Sequence, residues 1–333
     1  MKWLGLSRWV QKGLAVTTAS AFVDQVSSPI LSEAEIHRLA DEIADVASRP
    51  IENPKASEAL KQGEQASRYL GSGMEYEESR LYQPGDEVRR LNWRLMARTG
   101  QAYTKLFQEE RQEGWVVILD QRPSMRFGTQ SQLKVTQATR VAGFFAWQAE
   151  QSNLPFAAVA LGETVRNSAI LEGRSTYARF MDFAAVPCPP LAIEQGPQLE
   201  DELLDCQHRL KAGDRLLIIS DFKDLTERAL QLLAALQAKV MVKAILIYDP
   251  VEKQLPAISG MSLHALSGEG QLKSLTSEQQ QAYHAWAADY FAEKHQQLVN
   301  SGVWVVSLAT TETLAQLNYR LMAEAGHVSF SYA

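Results

Sequence analysis

The chain has 333 residues, of which 46% are hydrophobic, and a formal net charge of −6. That length provides for one large domain or two ordinary ones with a hydrophobic core. A mildly acidic chain lacks the basic excess that is typical of sequence-independent nucleic-acid binding, so we expect no nucleic-acid partner. The two cysteines, Cys188 and Cys206, have no metal-ligand spacing and are expected to be reduced thiols of a cytoplasmic protein.

Residues 1–70 are predicted to form a helical N-terminal region that ends in a polar linker. The apolar residues near the start have the spacing of an amphipathic helix that packs on the body of the protein: Trp3, Leu4, Leu6, Trp9 and Val10. Contact of residues 3–23 with a membrane surface is the alternative, because this segment is too short to span a bilayer. A second helix is predicted at residues 31–48, before Pro50.

Residues 71–112 form a block that is dense in charged and aromatic side chains. Within it, residues 84–86 predict a turn, residues 88–98 a short helix or an irregular segment, and residues 102–107 a strand. Arginine, tryptophan and tyrosine are common anchors of protein interfaces. The candidate partner-binding residues of this block are Arg80, Tyr82, Asp86, Arg89, Trp93 and Arg98. Near-equal numbers of both charges favour an internal ion-pair network for most arginines over a phosphate clamp, which would need uncompensated arginine.

Residues 113–333 have the pattern of an α/β domain. Strands are predicted at about 115–120, 156–161, 164–170, 215–220, 241–248 and 303–308, and helices at about 132–150, 197–210, 225–238, 276–299 and 312–324. Most strands are continuous apolar runs, which indicates that helices cover both faces of the sheet. Gly162 and Glu163 are too short a link for a crossover helix, so the strands around them form a hairpin. The domain is therefore predicted to be doubly wound, with a mostly parallel sheet and an antiparallel edge strand.

Two aspartates stand at corresponding ends of predicted strands. Asp120 ends the strand at 115–120, and Asp221 follows the strand at 215–220. Ligands of open parallel sheets bind beside the carboxyl ends of the strands. Together with Ser124, these carboxylates suggest a site for a hard cation such as Mg²⁺. A purely structural alternative is that each aspartate only caps the turn or helix that follows it.

A long, ordered set of landmarks extends over the charged block and the α/β domain. They read Glu75-Tyr76, Arg80-x-Tyr82-x-Pro84-Gly85-Asp86, Arg89, Asn92-Trp93, Ala97-Arg98-Thr99, Lys105-x-Phe107, Glu109-Glu110, Leu119-Asp120, Ser124-Met125, Phe127-Gly128, Tyr248-Asp249-Pro250-x-Glu252 and Leu255-Pro256. This set resembles the bacterial family called domain of unknown function 58, which has a von Willebrand factor type A-like domain.

The resemblance implies a non-enzymatic role. Members of the family resemble partners of MoxR-type AAA+ ATPases, which are chaperone-like remodelling machines, and the type A-like domain would act as an adaptor that grips a partner or client protein. Many relatives carry membrane helices ahead of this domain. None is recognisable here, so a soluble, cytoplasmic adaptor is expected.

The resemblance also implies a degenerate metal-dependent adhesion site. Such sites use the pattern D-x-S-x-S, a threonine from a second loop and an aspartate from a third. Asp120, Ser124 and Asp221 match this pattern, and Thr176 or its neighbour Ser175 is the candidate for the threonine. Arg122 stands where the first serine belongs, and a guanidinium cannot ligate a cation.

Two interpretations of this edge remain open. In one, a weakened Mg²⁺ site survives and Arg122 points outward. In the other, Arg122 replaces the metal and pairs with Asp120 and Asp221 in a salt-bridged recognition surface.

Enzymatic hypotheses have less support. The sequence has no phosphate-binding loop, nucleophile elbow or dinucleotide-binding fingerprint, so any ATPase activity is expected from a partner. One alternative function is a Mg²⁺-dependent phosphoester hydrolase that uses Asp120 and Asp221, with Asp224 as a third carboxylate. Another is a membrane-peripheral scaffold that attaches through residues 3–23.

Overall fold

The structure is a computed structural model. It describes residues 14–15, 29–48, 70–71, 75–83, 89, 91–108, 113–188, 196–256, 263–265, 271–272 and 276–328. The predicted amphipathic segment at 3–23, apart from Leu14 and Ala15, and the predicted site residue Asp86 lie outside this part of the chain. Two compact units form, one from residues 1–52 with 113–333 and the other from residues 53–112.

The larger unit is built on a six-stranded sheet. Its strands, in spatial order, are β12 (Trp304–Ala309), β9 (Met241–Tyr248), β8 (Arg215–Ser220), β5 (Trp115–Asp120), β6 (Phe156–Leu161) and β7 (Val165–Asn167). Every neighbouring pair is parallel except β6 and β7, which are antiparallel. The predicted fold class, a doubly wound α/β domain with a mostly parallel sheet and an antiparallel edge strand, is confirmed.

The edge strand is shorter than predicted. The sequence suggested a strand at 164–170, but β7 ends at Asn167. The side-chain hydroxyl of Ser168 accepts a hydrogen bond of 2.8 Å from the backbone N–H of Ala158. If β7 continued, a backbone carbonyl would accept this hydrogen bond instead. The hairpin itself is confirmed by the pairing of Leu161 with Val165.

Helices cover both faces of this sheet. In the described part of the larger unit they are α1 (Glu33–Ser48), α3 (Lys134–Gln151), α4 (Thr176–Ala184), α5 (Leu199–Arg209), α6 (Glu227–Gln237), α7 (Pro250–Lys253), α8 (Ser277–Asn300) and α9 (Leu314–Val328). The helix at 176–184 was not predicted. A small antiparallel sheet in the same unit joins β1 (Leu14–Ala15), β10 (Leu263–Ala265) and β11 (Gln271–Leu272).

Two hydrophobic clusters hold these layers together. On one face, Leu217 and Ile219 of β8 pack with α1, α3, α4 and α9. On the other face, Leu216 and Ile218 of the same strand pack with α5, α6 and α8. The alternation of side chains along a strand explains why one apolar run supplies both clusters.

The smaller unit contains a three-stranded antiparallel sheet and a short helix. The strands are β2 (Leu70–Gly71), β4 (Tyr103–Gln108) and β3 (Glu75–Leu81) in spatial order, and the helix is α2 (Trp93–Thr99). Asn92 caps α2 by accepting the N–H of Leu95 at 3.1 Å, and Gly100 ends it with a φ of 75°. The predicted strand at 102–107 therefore forms, whereas β3 was not predicted.

Candidate functional site

The carboxyl ends of β5 and β8 lie side by side and define what we call the carboxyl edge. Leu119 of β5 is paired with Ile219 of β8, so the residues that follow them meet. The hydroxyl of Ser220 donates a hydrogen bond of 2.6 Å to Asp120 Oδ2. The two strand ends thus meet as the sequence predicted, but Asp120 is fully buried and presents no surface to a partner.

Arg122 lies inside the carboxyl edge and joins two carboxylates. Its Nε donates to Asp120 Oδ1 at 2.9 Å, and its Nη2 donates to Asp120 Oδ2 at 2.7 Å. The same guanidinium forms a second pair with Asp224, with Nη2 2.9 Å from Oδ1 and Nη1 bonded to Oδ2. Burial opposes the charge of Arg122, but Asp120 and Asp224 outweigh it and raise the pKa of the guanidinium. Asp224, rather than the predicted Asp221, is the second partner of Arg122.

A second buried cation, Lys134, neutralises Asp221. Its Nζ lies 2.9 Å from Asp221 Oδ2 and 2.7 Å from Glu252 Oε1, and its side chain is 2% exposed. Burial alone would lower the pKa of Lys134, but Asp221 and Glu252 raise it above its ordinary value. Burial alone would likewise raise the pKa of Asp221, but Lys134 and Lys294 hold it well below its usual range. Asp221 therefore stays ionised and is held in an ion pair with Lys134.

Sequence reasoning missed Lys134, although one signal could have identified it. Lys134 is the first residue of α3, where the helix dipole disfavours a positive charge. Eleven of the seventeen residues that follow it in this helix are buried. A lysine in so unfavourable and enclosed a place needs carboxylate partners, and the two aspartates at the neighbouring strand ends were the candidates.

Helix α8 adds a third buried cation to the carboxyl edge. Lys294 donates to the backbone carbonyl of Asp221 at 3.0 Å and to the hydroxyl of Tyr290 at 2.6 Å. It forms no ion pair with a described carboxylate within 4.0 Å. Burial lowers the pKa of Lys294 to about 8, and the charge of Asp221 offsets only part of that effect.

The family landmark at residues 248–252 has a structural explanation. Asp249 is fully buried and caps α7, and Glu252 completes the capping box through the N–H of Asp249 at 2.8 Å. Asp249 also accepts hydrogen bonds from the hydroxyls of Thr129 at 2.6 Å and Thr310 at 2.9 Å. This landmark therefore ties three loops together and holds Glu252 against Lys134.

The residues present do not fit a Mg²⁺ site. Both oxygens of Asp120 are engaged by Arg122, and the second also by Ser220. Lys134 is bonded to Asp221, so a divalent ion there would face a buried ammonium group. Among the described residues, no three His, Cys, Asp or Glu side chains are grouped so that they could hold a metal ion.

The predicted position of Thr176 as a metal ligand is wrong. Thr176 begins α4, and the next backbone N–H, that of Tyr177, donates to Glu150 at 2.9 Å. Glu150 is in the last turn of α3, whereas Lys134 starts that helix at the carboxyl edge. At 1.5 Å per residue these ends are roughly 24 Å apart. Thr176 is buried at the far end of the domain, where its hydroxyl donates to the carbonyl of Gly173 at 2.9 Å.

A cleft of about 630 Å³ opens beside the buried cations. Its walls are the turn that follows β5, which includes Ser124, the turn between β6 and β7, residues 196–198, the loop after β8 and one face of α8. Phe222 in the loop after β8 has a φ of 51°, an unfavourable conformation for a bulky residue. Such strain is frequent at functional sites. The cleft is within the size range of ligand sites in proteins.

The remaining predicted partner-binding residues belong to the smaller unit. Trp93 is 58% exposed on α2, and Arg89 and Arg98 are exposed as well. Tyr82 is half-buried, and Arg80, also half-buried, donates to the carbonyl of Leu81 at 3.2 Å. The side chains of the acidic residues in residues 71–112 lie outside the described part of the chain, so the predicted internal ion-pair network stays a prediction.

None of the helices in the described part of the chain has the length and apolar character needed to cross a membrane.

Known proteins that resemble this chain fall into relatives by sequence and solved structures. "Uncharacterized protein Rv1480" of Mycobacterium tuberculosis and "Uncharacterized protein Mb1516" of Mycobacterium bovis are each 28% identical in an alignment of 230 residues that covers 64% of this chain and 71% of each relative. BatB from Bacteroides thetaiotaomicron has a TM-score of 0.41 at 12% identity over 65% of this chain and 99% of that one. A von Willebrand factor type A protein from Catenulispora acidiphila has a TM-score of 0.35 at 11% identity over 66% of this chain and 44% of that one.

Residues 78–296 match the family described as "Protein of unknown function DUF58". The match covers more than half of the chain and confirms the resemblance that the sequence landmarks indicated. The chain therefore belongs to the DUF58 family.

Proposed function

We propose that this protein is a non-enzymatic interaction adaptor that recognises a protein partner at the cleft of the carboxyl edge. The observation that carries the proposal is the pair of buried cations at that edge. Arg122 bridges Asp120 and Asp224, and Lys134 bridges Asp221 and Glu252. The bridge of Arg122 and Asp224 forms part of the cleft wall, so this wall is held in place without a metal ion, and a preformed wall lowers the entropic cost of binding a partner.

The state of the carboxylates favours binding over catalysis. A general base needs a carboxylate that can reach and accept a substrate proton. The three aspartates of the hydrolase hypothesis, Asp120, Asp221 and Asp224, are all ion-paired. A metal-dependent hydrolase would have to break these bridges before it could use them.

The proposed partner is an AAA+ ATPase of the MoxR type, and the proposed client is a further protein that the ATPase remodels. This assignment is supported by membership of the DUF58 family and by the sequence landmarks. We also propose a cytoplasmic location, because Cys188 and Cys206 are free thiols. Helix α2 of the smaller unit supplies a second candidate contact, because Trp93, Arg94 and Arg98 are exposed on it.

Filling the cleft tests the proposal. Gln198 lines the cleft and is exposed, so Gln198→Trp is expected to fold normally and to obstruct the site. The matched control is Gln296→Trp, because Gln296 is exposed on α8 and lies outside the cleft lining. Tagged full-length proteins would be used to capture partners from the native lysate with Mg²⁺-ATP or with EDTA, and captured proteins would be identified by mass spectrometry.

We expect the wild type and Gln296→Trp to capture an AAA+ ATPase, and Gln198→Trp to capture at least tenfold less. Equal capture by all three proteins would remove the cleft from the proposal. Capture of no ATPase in any condition would overturn the proposed partner. EDTA-sensitive hydrolysis of phosphoesters by the purified protein would instead support the enzymatic hypothesis.

A further inference from the structure

Several basic side chains that line the cleft form no ion pair with a carboxylate in the described part of the chain. Four basic side chains contribute to its lining: Arg122, Arg126, Lys223 and Lys294. Three acidic side chains contribute as well: Glu163, Asp224 and Glu293. Arg122 and Asp224 neutralise one another, which leaves the other five to face a ligand.

Lys294 is the most buried of the three basic side chains that form no ion pair with a described carboxylate, which are Arg126, Lys223 and Lys294. Its side chain is 6% exposed, and its ammonium group can donate three hydrogen bonds. Two of these go to neutral oxygens, the carbonyl of Asp221 and the hydroxyl of Tyr290. A buried ammonium group that is bonded only to neutral acceptors within the described residues gains strongly from an incoming anion.

Lys223 and Arg126 add to this positive wall. The ammonium group of Lys223 has no hydrogen-bond or ion-pair partner among the described residues, and its side chain is exposed. Arg126 donates through Nε to the carbonyl of Gln121 at 3.2 Å, whereas its Nη1 is buried and has no hydrogen-bond partner in the part of the chain that the structure describes. Three basic side chains from three segments therefore converge on one cleft with unused donors.

We propose that the cleft binds a carboxylate group of the protein partner. Lys294 and Lys223 donate hydrogen bonds to this carboxylate, and Arg126 adds a positive charge to the same lining. This inference rests on the proposed function and adds the chemistry of the ligand to it. An acidic side chain of the partner would enter the cleft and complete the hydrogen bonds of the two lysines.

The charge balance of the cleft selects a carboxylate over a phosphate. The lining has one more basic than acidic side chain, which matches a ligand with a single negative charge. A phosphate monoester carries close to two charges at neutral pH, and Glu163 and Glu293 would repel the second. Burial also lowers the pKa of Lys294 to about 8, so a bound anion would shift that pKa upward.

Acetate is a suitable probe because it carries the proposed group and nothing else. The full-length protein would be labelled with ¹³C at lysine Cε, and the signals of Lys223 and Lys294 would be assigned from Lys223→Met and Lys294→Met. Titrations with acetate, phosphate and chloride at pH 7 and matched ionic strength would then be followed by NMR. We expect saturable shifts of both signals in the millimolar range with acetate, and weaker binding of phosphate and chloride.

Two variants make the result interpretable. Lys223→Met is expected to weaken acetate binding at least fivefold, and its exposed position keeps it independent of folding. Lys211→Met removes an exposed lysine outside the cleft lining and is expected to leave binding unchanged. Raising the pH through 8 to 9.5 is expected to weaken acetate binding, because Lys294 then loses its charge beside Asp221, Lys134, Glu252, Asp224 and Tyr290.

Three outcomes would overturn the inference. Shifts that do not saturate, or that are unaffected by Lys223→Met, would mean that acetate acts only as salt. Phosphate that binds more tightly than acetate would assign the cleft to a phosphate group instead. This test uses no partner, so its failure is distinguishable from failure of the adaptor proposal, which depends on capture of the ATPase.

Discussion

Arg122 occupies the position at which a serine would complete the metal-binding pattern, so its substitution tests whether the carboxyl edge can bind a metal ion. Arg122→Ser removes a buried guanidinium from Asp120 and Asp224 and restores the D-x-S-x-S pattern. Leaving buried carboxylates unpaired is expected to cost about 3–5 kcal/mol of unfolding free energy. Because a divalent cation could then replace the lost charge, Mg²⁺ is expected to restore part of this stability. Urea unfolding with and without Mg²⁺ measures both effects.

The control for this variant is Arg140→Ser, which breaks the partly exposed pair of Arg140 and Glu42. Its expected cost is about 0–1 kcal/mol, with no response to Mg²⁺. If Arg122→Ser were as stable as the wild type, the bridge would not hold the carboxyl edge together. If it were destabilised but indifferent to Mg²⁺, the restored pattern would not be a metal site.

Lys134 is expected to be as important for stability as Arg122. Lys134→Met keeps most of the side-chain volume but leaves Asp221 and Glu252 without their cation. We expect a loss of about 3–5 kcal/mol in urea unfolding. The triple variant Lys134→Met, Asp221→Asn, Glu252→Gln removes all three charges and is expected to recover at least half of the loss. A triple variant that is less stable than Lys134→Met would contradict the ionic explanation.

The sequence predicted the positions of some site residues but not of others. Asp120, Asp221 and the departure at Arg122 were recognisable because a strand end and a motif fix their positions. Lys134 was missed because its partners are distant in sequence, 87 and 118 residues away, in the loop after β8 and in helix α7. Thr176 was misplaced because the motif does not say which loop supplies the threonine, and residues 171–176 lie at the opposite end of the domain.

Helix α2 of the smaller unit carries an exposed aromatic residue, Trp93. Trp93 is 58% exposed, and Arg94 and Arg98 repel one another at a separation of one helical turn. Such a surface gains from an acidic, partly apolar partner. Trp93→Ala is therefore expected to reduce capture of the ATPase at least tenfold and to leave the melting temperature within about 2 °C.

Tyr319→Ala is the matched control, because Tyr319 is 75% exposed on α9 of the larger unit. It is expected to change neither capture nor melting temperature. Equal capture by Trp93→Ala and Tyr319→Ala would exclude α2 as a contact. A large loss of melting temperature in Trp93→Ala alone would mean that the tryptophan is structural.

Elements were predictable where the apolar pattern was continuous. The five parallel strands were placed to within one residue because each is a mostly apolar run between helices. Helix α4 was missed because it is only 9 residues long and follows a short 3-10 turn without a side-chain cap. Strand β3 was missed because Glu75–Leu81 is mostly charged and forms its sheet through backbone pairing with β4.

The topology of the whole sheet followed from a few constraints. The link of Gly162 and Glu163 made β6 and β7 a hairpin, and helices between the other strands required parallel crossovers. The charge network could not be derived in this way, because it depends on side-chain directions in five loops and helices. The fold class was therefore predictable from the sequence, whereas the partners of Arg122, Lys134 and Lys294 were not.

The acid stability of the whole molecule depends on the carboxyl edge. Burial raises the pKa of Asp221, but Lys134 and Lys294 lower it further, so the folded-state pKa lies below that of the unfolded chain. The stability that this carboxylate provides is therefore fully present above its ordinary pKa of 3.8 and is lost as the pH falls toward the lower folded-state value. Each pKa unit of difference is worth about 1.4 kcal/mol.

Asp221→Asn removes this titration and is expected to be less stable than the wild type at pH 7. The gap between the two unfolding free energies should shrink progressively as the pH is lowered from about 5 to 3, because only the wild type loses the contribution of Asp221. Urea unfolding at pH 7, 5, 4 and 3 measures the gap. Asp289→Asn, an exposed change on α8, should match the wild type throughout. A gap that stays constant down to pH 3 would mean that Asp221 stabilises the fold through its shape and hydrogen bonds rather than through its charge.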